Sequence, residues 1–165
     1  MNSELQFEWT NVFDKTIAIC EDDLNYNTYS AREKMLAFVF TFLQSLNSNE
    51  DKYITIIKKN RFPFIQNAVF SELKSDFYVY VDGLIQAASN SGEIQTRPFL
   101  SNYYKQIIWN AFLSILYFWS NDKSNFKENT DVMVEKTIHF AFDLLAPNAI
   151  DSGIDYLQHF IKLRK

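Results

Sequence analysis

AFLSILYFWSNDKSNFKENTDVMVEKTIHFAFDLL, from Ala111 to Leu145, is the stretch that decides the fold. Its first nine residues are apolar except for Ser114. A short polar break follows, and a second segment then repeats apolar residues every three or four positions, which is the spacing of one helix face. The stretch therefore predicts two consecutive helices that carry more apolar surface than one core face needs.

Helical spacing continues through the rest of the chain, and no strand-like alternation of apolar and polar residues interrupts it. Three Gly and three Pro among 165 residues leave little material for hairpin turns, so long helices joined by polar loops are expected. A chain of this length suits one domain. We predict an all-α fold, a multi-helix bundle of about seven helices that forms one domain over residues 1–165. The predicted helices cover residues 3–21, 30–46, a short segment after Asn49, 63–89, 99–120, 126–146 and 150–163.

Several helix ends carry capping signals. A Ser followed three residues later by Glu is a capping box, in which each residue accepts a hydrogen bond from the other's backbone N–H. A Gly just after an apolar repeat ends a helix, because it adopts a left-handed conformation at little cost. The predicted caps are Ser30 with Glu33, Asn49, Gly92, and Asn125 with Glu128.

Composition excludes several classes of protein. The net charge is −4 and the pI is near 5.2, and only Lys15 is basic before Arg32, which disfavours a nucleic-acid surface. The single Cys20 excludes an internal disulfide and a cysteine metal cluster, and its place on an apolar stripe predicts a buried, inert thiol. Neither a signal-peptide pattern nor an 18-residue uncharged apolar run occurs. We expect a soluble cytoplasmic protein.

Signals for enzyme chemistry are weak. His139 lies on a polar stripe with Asp131, Glu135 and Asp143 at four-residue spacing, and such side chains on facing helices can bind a metal. Paired Glu-x-x-His motifs are missing, so a solvated face with weak ion pairs is favoured. No phosphate loop, nucleophile elbow or zinc-protease motif occurs. We predict neither an enzyme nor a metal or cofactor site.

Aromatic side chains on three predicted helices are spaced so that they can meet at the centre of the bundle. Ligand pockets between helices use such linings, with a few polar groups that orient the guest. Plain core packing is the other interpretation, since Phe and Trp also fill space. The candidate ligand-binding residues are Phe38, Phe42, Phe77, Tyr80, Tyr104 and Trp109, and Asn110 is a further polar candidate.

Three stretches resemble the C-terminal ligand-binding and dimerisation domain of TetR-family transcriptional regulators. YSAREKMLAFVFTFLQSL (29–46) resembles the second helix of that domain. SGEIQTR (91–97) is similar to the turn before its fifth helix, and LYFWSNDKSNFKENTDVMVEKT (116–137) to the junction of the last two helices. The resemblance covers most of residues 3–146, and the first helix resembles the helix that connects to a DNA-binding unit.

The resemblance implies a homodimer in which the fifth and sixth helices of two subunits form a four-helix bundle. The surplus apolar surface of the opening stretch agrees with this, although a central helix buried within one subunit would show the same pattern. The predicted interface residues are Ala111, Ile115, Phe118, Val134, Ile138 and Ala141.

The resemblance also implies partners. A small hydrophobic or aromatic effector is expected, and DNA only through an N-terminal three-helix unit that nothing in this chain matches. The alternative function is a stand-alone TetR-like accessory protein that binds a lipid or isoprenoid without binding DNA. In that alternative the terminal helix, with the basic end KLRK, would touch a membrane surface, but docking on the bundle is favoured.

Overall fold

The computed structural model describes residues 2–60, 68–97 and 101–147. These residues form six α-helices and short 3-10 turns, without a strand, which confirms the all-α prediction. The predicted seventh helix, at 150–163, lies outside the described residues, as do the predicted starts of the fourth and fifth helices. The helices are α1 (Asn2–Glu21), α2 (Ala31–Leu46), α3 (Glu50–Lys59), α4 (Ser71–Ser91), α5 (Ser101–Asn121) and α6 (Glu128–Leu145).

The helices enclose one continuous apolar core. Helix α1 packs on α2 and α4, α5 packs on α3, α4 and α6, and α6 also packs on α2. The stripe predicted on α1 faces inwards, and Cys20 at its end is a buried free thiol whose pKa is raised by desolvation. Among the described helices none is both long enough and apolar enough to cross a membrane.

The start of α2 is capped by residues at its own end and by a residue of the connection between two other helices. Ser30 Oγ accepts from the N–H of Glu33 at 3.2 Å, and the Glu33 carboxylate accepts from the N–H of Ser30 at 2.8 Å, which confirms the predicted capping box. The carboxylate of Glu93, on the α4–α5 connection, accepts from the N–H groups of Ala31 and Arg32 at 3.0 Å each. Two backbone N–H groups of the first turn, which have no partner within the helix, therefore donate to a residue that is remote in sequence.

The α4–α5 connection is fixed at both sides. Gly92 ends α4 in the left-handed conformation, with φ +79°, as predicted. The buried guanidinium of Arg97 donates to the carbonyl of Ala146 at 2.9 Å and to that of Leu145 at 3.4 Å. A cation at a helix C-terminus interacts favourably with the helix dipole, so Arg97 ties this connection to the end of α6.

The α5–α6 turn differs from the prediction. Asp122 accepts from both the N–H and the hydroxyl of Thr130, and Ser124 Oγ accepts from the N–H of Asn129 at 3.1 Å. These groups cap α6, and the predicted pair of Asn125 and Glu128 lies in the turn and at the first residue of the helix. The chain turns sharply here, because residues 126 and 127 both have positive φ.

The predicted cap of α3 also needs a correction. Asn49 precedes the helix, but its side chain makes no capping hydrogen bond within the described part of the chain. Its φ of −141° and ψ of 47° differ from the extended backbone of an N-cap such as Ser30.

The opening stretch shows which of its apolar residues belong to the subunit's own core. Ile115, Val134, Ile138 and Ala141 are buried where α5 and α6 pack into the bundle. Their side chains are covered by the subunit's own residues, and the dimer-interface role predicted for them stays a prediction. Intrachain packing of α6 against α2 and α5 uses this face. Ala111 is half-buried and Phe118 is 37% exposed, so both remain open to a partner.

Candidate ligand-binding site

A cluster of aromatic rings from α2, α4 and α5 fills the centre of the bundle. Phe38 lies 5.7 Å from Phe42 and 5.8 Å from Phe77, between ring centroids. Phe77 in turn meets Trp109 edge-on at 5.2 Å. Four of the six predicted ligand-binding residues therefore form one connected group, which we call the aromatic cluster, and a fifth, Tyr80, packs on it.

Phe112 lies at the middle of the aromatic cluster, although the sequence analysis did not single it out. Its ring stacks on Phe77 at 4.9 Å and meets Phe42 edge-on at 5.1 Å. It also lies 5.7 Å from Trp109. Phe112 follows Trp109 by three residues, a spacing that places both on one helix face and that would have identified it.

Helix α1 contributes two rings that sequence spacing placed only on an apolar stripe. Trp9 lies parallel to Phe42, with centroids 6.2 Å apart and planes 3° from parallel. Phe13 packs on Phe38 at 5.5 Å and on the edge of Tyr80 at 6.3 Å. The aromatic cluster thus extends from α5 through α2 to α1.

A pair of phenol groups borders the cluster. Tyr80 packs on Phe38 at 5.0 Å, and its hydroxyl lies 2.8 Å from that of Tyr26. The Tyr80 hydroxyl also donates to the carbonyl of Lys34 at 3.3 Å, which leaves Tyr26 to donate to Tyr80. Desolvation, followed by this hydrogen bond, raises the pKa of Tyr80 far above its usual value, and desolvation also raises the pKa of Tyr26. Both groups are neutral donors at physiological pH.

Asn110 belongs to a second polar group at the α4–α5 contact. Its side-chain oxygen accepts from Gln106 Nε2 at 2.9 Å, and Gln106 Oε1 accepts from the Tyr78 hydroxyl at 2.8 Å. The Tyr78 ring meets Trp109 edge-on at 6.4 Å. This chain of hydrogen bonds therefore lies beside the aromatic cluster.

Tyr104 is placed away from the other predicted residues. Its buried hydroxyl donates to the carbonyl of Gln95 at 2.7 Å and accepts from the N–H of Arg97 at 3.1 Å. Both partners belong to the α4–α5 connection. In this structure Tyr104 anchors that connection.

The polar stripe on α6 faces α2. Arg32 donates from Nη1 to His139 Nδ1 at 2.9 Å and from Nη2 to Asp143 at 2.8 Å. Its guanidinium also lies 5.7 Å from the centroid of the Phe142 ring. The guanidinium of Arg32 therefore occupies the space beside His139 and Asp143. In the described ranges, no group of three potential metal ligands occurs.

The fold and the cluster agree with the comparison to protein families. The family described as "Tetracyclin repressor-like, C-terminal domain" matches residues 34–160. No curated protein and no solved structure was found to match the chain.

The chain belongs to the Tetracyclin repressor-like C-terminal domain family, which confirms the resemblance to TetR-family regulators. Domains of this family are the ligand-binding, regulatory parts of transcriptional regulators, and they are generally not enzymes.

Proposed function

We propose that this chain is a homodimeric effector domain of TetR type, which binds a small apolar or aromatic ligand among the rings of α1, α2, α4 and α5. The observation that carries the proposal is the aromatic cluster, because it connects four helices through side chains that offer dispersion contacts and few competing polar groups. The neutral phenols of Tyr26 and Tyr80 border it, and the oxygen of the Tyr26 hydroxyl, which donates to Tyr80, can still accept a hydrogen bond from a guest.

Helix α1 gives such binding a route to regulation. It contributes Trp9 and Phe13 to the cluster, and the resemblance makes it the helix that joins a DNA-binding unit. A ligand that fits one position of α1 better than another shifts the equilibrium between the two. Effector binding would therefore change how two attached DNA-binding units are spaced.

The outer faces of α5 and α6 support the homodimer. Each carries a mainly apolar stripe at helical spacing that is not fully buried within the subunit. On α6, Phe140 of this stripe is 64% exposed. A two-fold axis lets one surface serve both partners. We call this surface the outer face; its residues are Ile107, Ala111, Ser114 and Phe118 on α5, and Met133, Thr137, Phe140 and Leu144 on α6.

Titration with the neutral dye Nile red, whose emission shifts to the blue in apolar surroundings, tests ligand binding. The wild-type protein is expected to bind the dye. Phe112→Trp adds volume at the centre of the cluster and should weaken binding by about tenfold or more, because the larger ring fills space that the dye needs. Phe7→Trp is the matched control, since Phe7 is largely exposed on α1.

Circular dichroism shows whether Phe112→Trp keeps its helices. Blue-shifted emission that is lost only in this variant supports the proposal. Equal binding by all three proteins places the dye outside the cluster and contradicts the proposed site, as does a wild-type protein that binds no dye.

A further inference from the structure

Trp9 holds a buried donor that the fold does not use. The side chain has 0% exposure. Within the described part of the chain, its indole Nε1 is the one fully buried side-chain nitrogen or oxygen without a hydrogen-bond partner. Leaving such a donor unpaired is costly, and natural structures contain few of them. The donor therefore needs a partner that the subunit does not provide.

The surroundings of Trp9 are aromatic. Tyr53 of α3 lies 5.1 Å away and Phe70, in the turn before α4, lies 5.2 Å away, both tilted against the indole. Phe42 covers it in parallel on the α2 side. Aromatic faces accept an N–H only weakly, so an oxygen or nitrogen lone pair would be a stronger partner for this donor.

Polar side chains of α1 and α3 make hydrogen bonds with groups other than the indole. The Tyr53 hydroxyl donates to Glu8 Oε1 at 3.1 Å, and Lys52 forms an ion pair with the same carboxylate at 2.6 Å. Thr16, one buried polar residue on the same helix, donates to the carbonyl of Val12 at 2.7 Å. None of these groups is an acceptor for the indole N–H in this structure.

We propose that the Trp9 indole N–H donates a hydrogen bond to a neutral acceptor on the bound effector, and that the effector is an uncharged aromatic carbonyl compound. The inference rests on the proposed function, because it places the guest at the Trp9 end of the aromatic cluster. The rings of Trp9 and Phe42 are apolar surroundings for such a guest, and the indole N–H is a donor without a partner.

Charge at this end of the cluster favours an uncharged guest. A carboxylate buried beside the indole would have one neutral donor and no free cation among the described neighbours, since Lys52 is paired with Glu8. Burying an ion without a counter-ion is far more costly than burying a carbonyl oxygen. Because the Glu8 carboxylate and Lys52 neutralise each other, this pair leaves no positive charge that would hold an anion beside Trp9.

Two pairs of compounds, 9-fluorenone with fluorene and benzophenone with diphenylmethane, test this inference. Each pair has nearly the same shape and differs in one carbonyl oxygen. In nitrogen-15 labelled protein the three tryptophans give three indole N–H signals, and through-bond experiments assign that of Trp9 without a variant. Both ketones should move the Trp9 signal downfield, and neither hydrocarbon should.

Affinities complete the test. Each ketone should bind the wild-type protein about threefold to tenfold more tightly than its hydrocarbon, which is the effect of one neutral hydrogen bond. Trp9→Phe keeps an aromatic ring without the donor, so it should remove this preference. Trp119→Phe is the control, because Trp119 is a buried tryptophan whose neighbour is Lys127, outside the cluster.

Equal binding of both members of a pair, with an unmoved Trp9 signal, overturns the inference but leaves the proposed ligand site intact. A magnetisation transfer from water to the Trp9 indole N–H that persists with the ketone bound also overturns it, since a water would then be the partner. Binding of none of the four compounds contradicts the proposed ligand site as well.

Discussion

Phe77 of α4 and Phe112 of α5 stack at the centre of the bundle, with ring centroids 4.9 Å apart and planes 21° from parallel. Both rings are fully buried, and both contact Phe38 of α2. The pair therefore links three helices. The same pair forms the wall of the proposed ligand site, so stability and binding share these side chains.

Truncation of Phe112 should be strongly destabilising. Phe112→Ala is expected to lower the free energy of unfolding by about 3–5 kcal/mol, because it removes a large buried ring and leaves a cavity. Phe126→Ala is the matched control: Phe126 is 98% exposed, so its loss should change stability by less than about 0.5 kcal/mol. Urea unfolding followed by circular dichroism measures both. Similar midpoints for the two variants would contradict the described core.

The cap that Asp122 provides for α6 should make stability depend on pH. Desolvation acts to raise the pKa of Asp122, but hydrogen bonds from Thr130 and Ser124 outweigh it and lower the pKa from 3.8 to about 2. The native state therefore favours the ionised form. The stabilisation is complete above pH 3.8 and is lost as the pH falls through about 2.

Asp122→Ala should lower the free energy of unfolding at pH 7 by about 0.5–2 kcal/mol, the usual cost of losing an N-cap. The difference from the wild-type protein should shrink as the pH falls from 3.8 towards 2. Asp22→Ala, at an exposed position between α1 and α2, is the control and should show no such trend. A difference that stays constant down to pH 2 would argue against this role.

Glu93 should stabilise the start of α2 across 60 positions of sequence. Its carboxylate accepts from two backbone donors, so Glu93→Ala is expected to cost about 1–3 kcal/mol by leaving them without a protein partner. Glu93→Gln keeps one acceptor oxygen and should cost less. Hydrogen exchange of the Ala31 and Arg32 amides measures the effect. Glu135→Ala, at an exposed position of α6, is the control. Unchanged exchange in Glu93→Ala would contradict the assignment.

The outer face should determine the oligomeric state. We expect the wild-type protein to sediment at about twice its subunit mass of 19.5 kDa, and Phe140→Glu to be a monomer, because a buried unpaired carboxylate is costly at an interface. Val79→Glu is the control, since Val79 is 74% exposed on α4, away from this surface. A wild-type monomer at micromolar concentration, or a dimer that survives in Phe140→Glu, would contradict the proposed homodimer.

Helix caps could be predicted from the sequence where all the residues that form the cap belong to one helix and its end. The capping box of Ser30 and Glu33 spans three residues, and Gly92 needs only its own backbone conformation. Both are therefore readable without a structure. The α6 cap is not, because Asp122 reaches Thr130 only through a turn in which Phe126 has φ +48°, a conformation that its bulky side chain disfavours.

The candidate site is formed by contacts between helices, and the spacing of residues along one helix predicts such contacts less well. The rings of Phe38, Phe42, Phe77 and Trp109 meet because each lies on the inward side of its helix. Tyr104 also lies inwards, yet its hydroxyl bonds a loop carbonyl that no periodicity could indicate. The same limit applies to Ile115, because the buried Ile115 and the partly exposed Phe118 of α5 lie within one helix turn of each other.

The most direct test of the ligand-binding proposal is to locate a bound probe. Intermolecular nuclear Overhauser effects can be recorded between 9-fluorenone and the wild-type protein with labelled phenylalanine rings. We expect effects from the probe to the rings of Phe38, Phe77 and Phe112. Effects only to exposed rings such as Phe7 or Phe140, with none to the aromatic cluster at saturation, would contradict it.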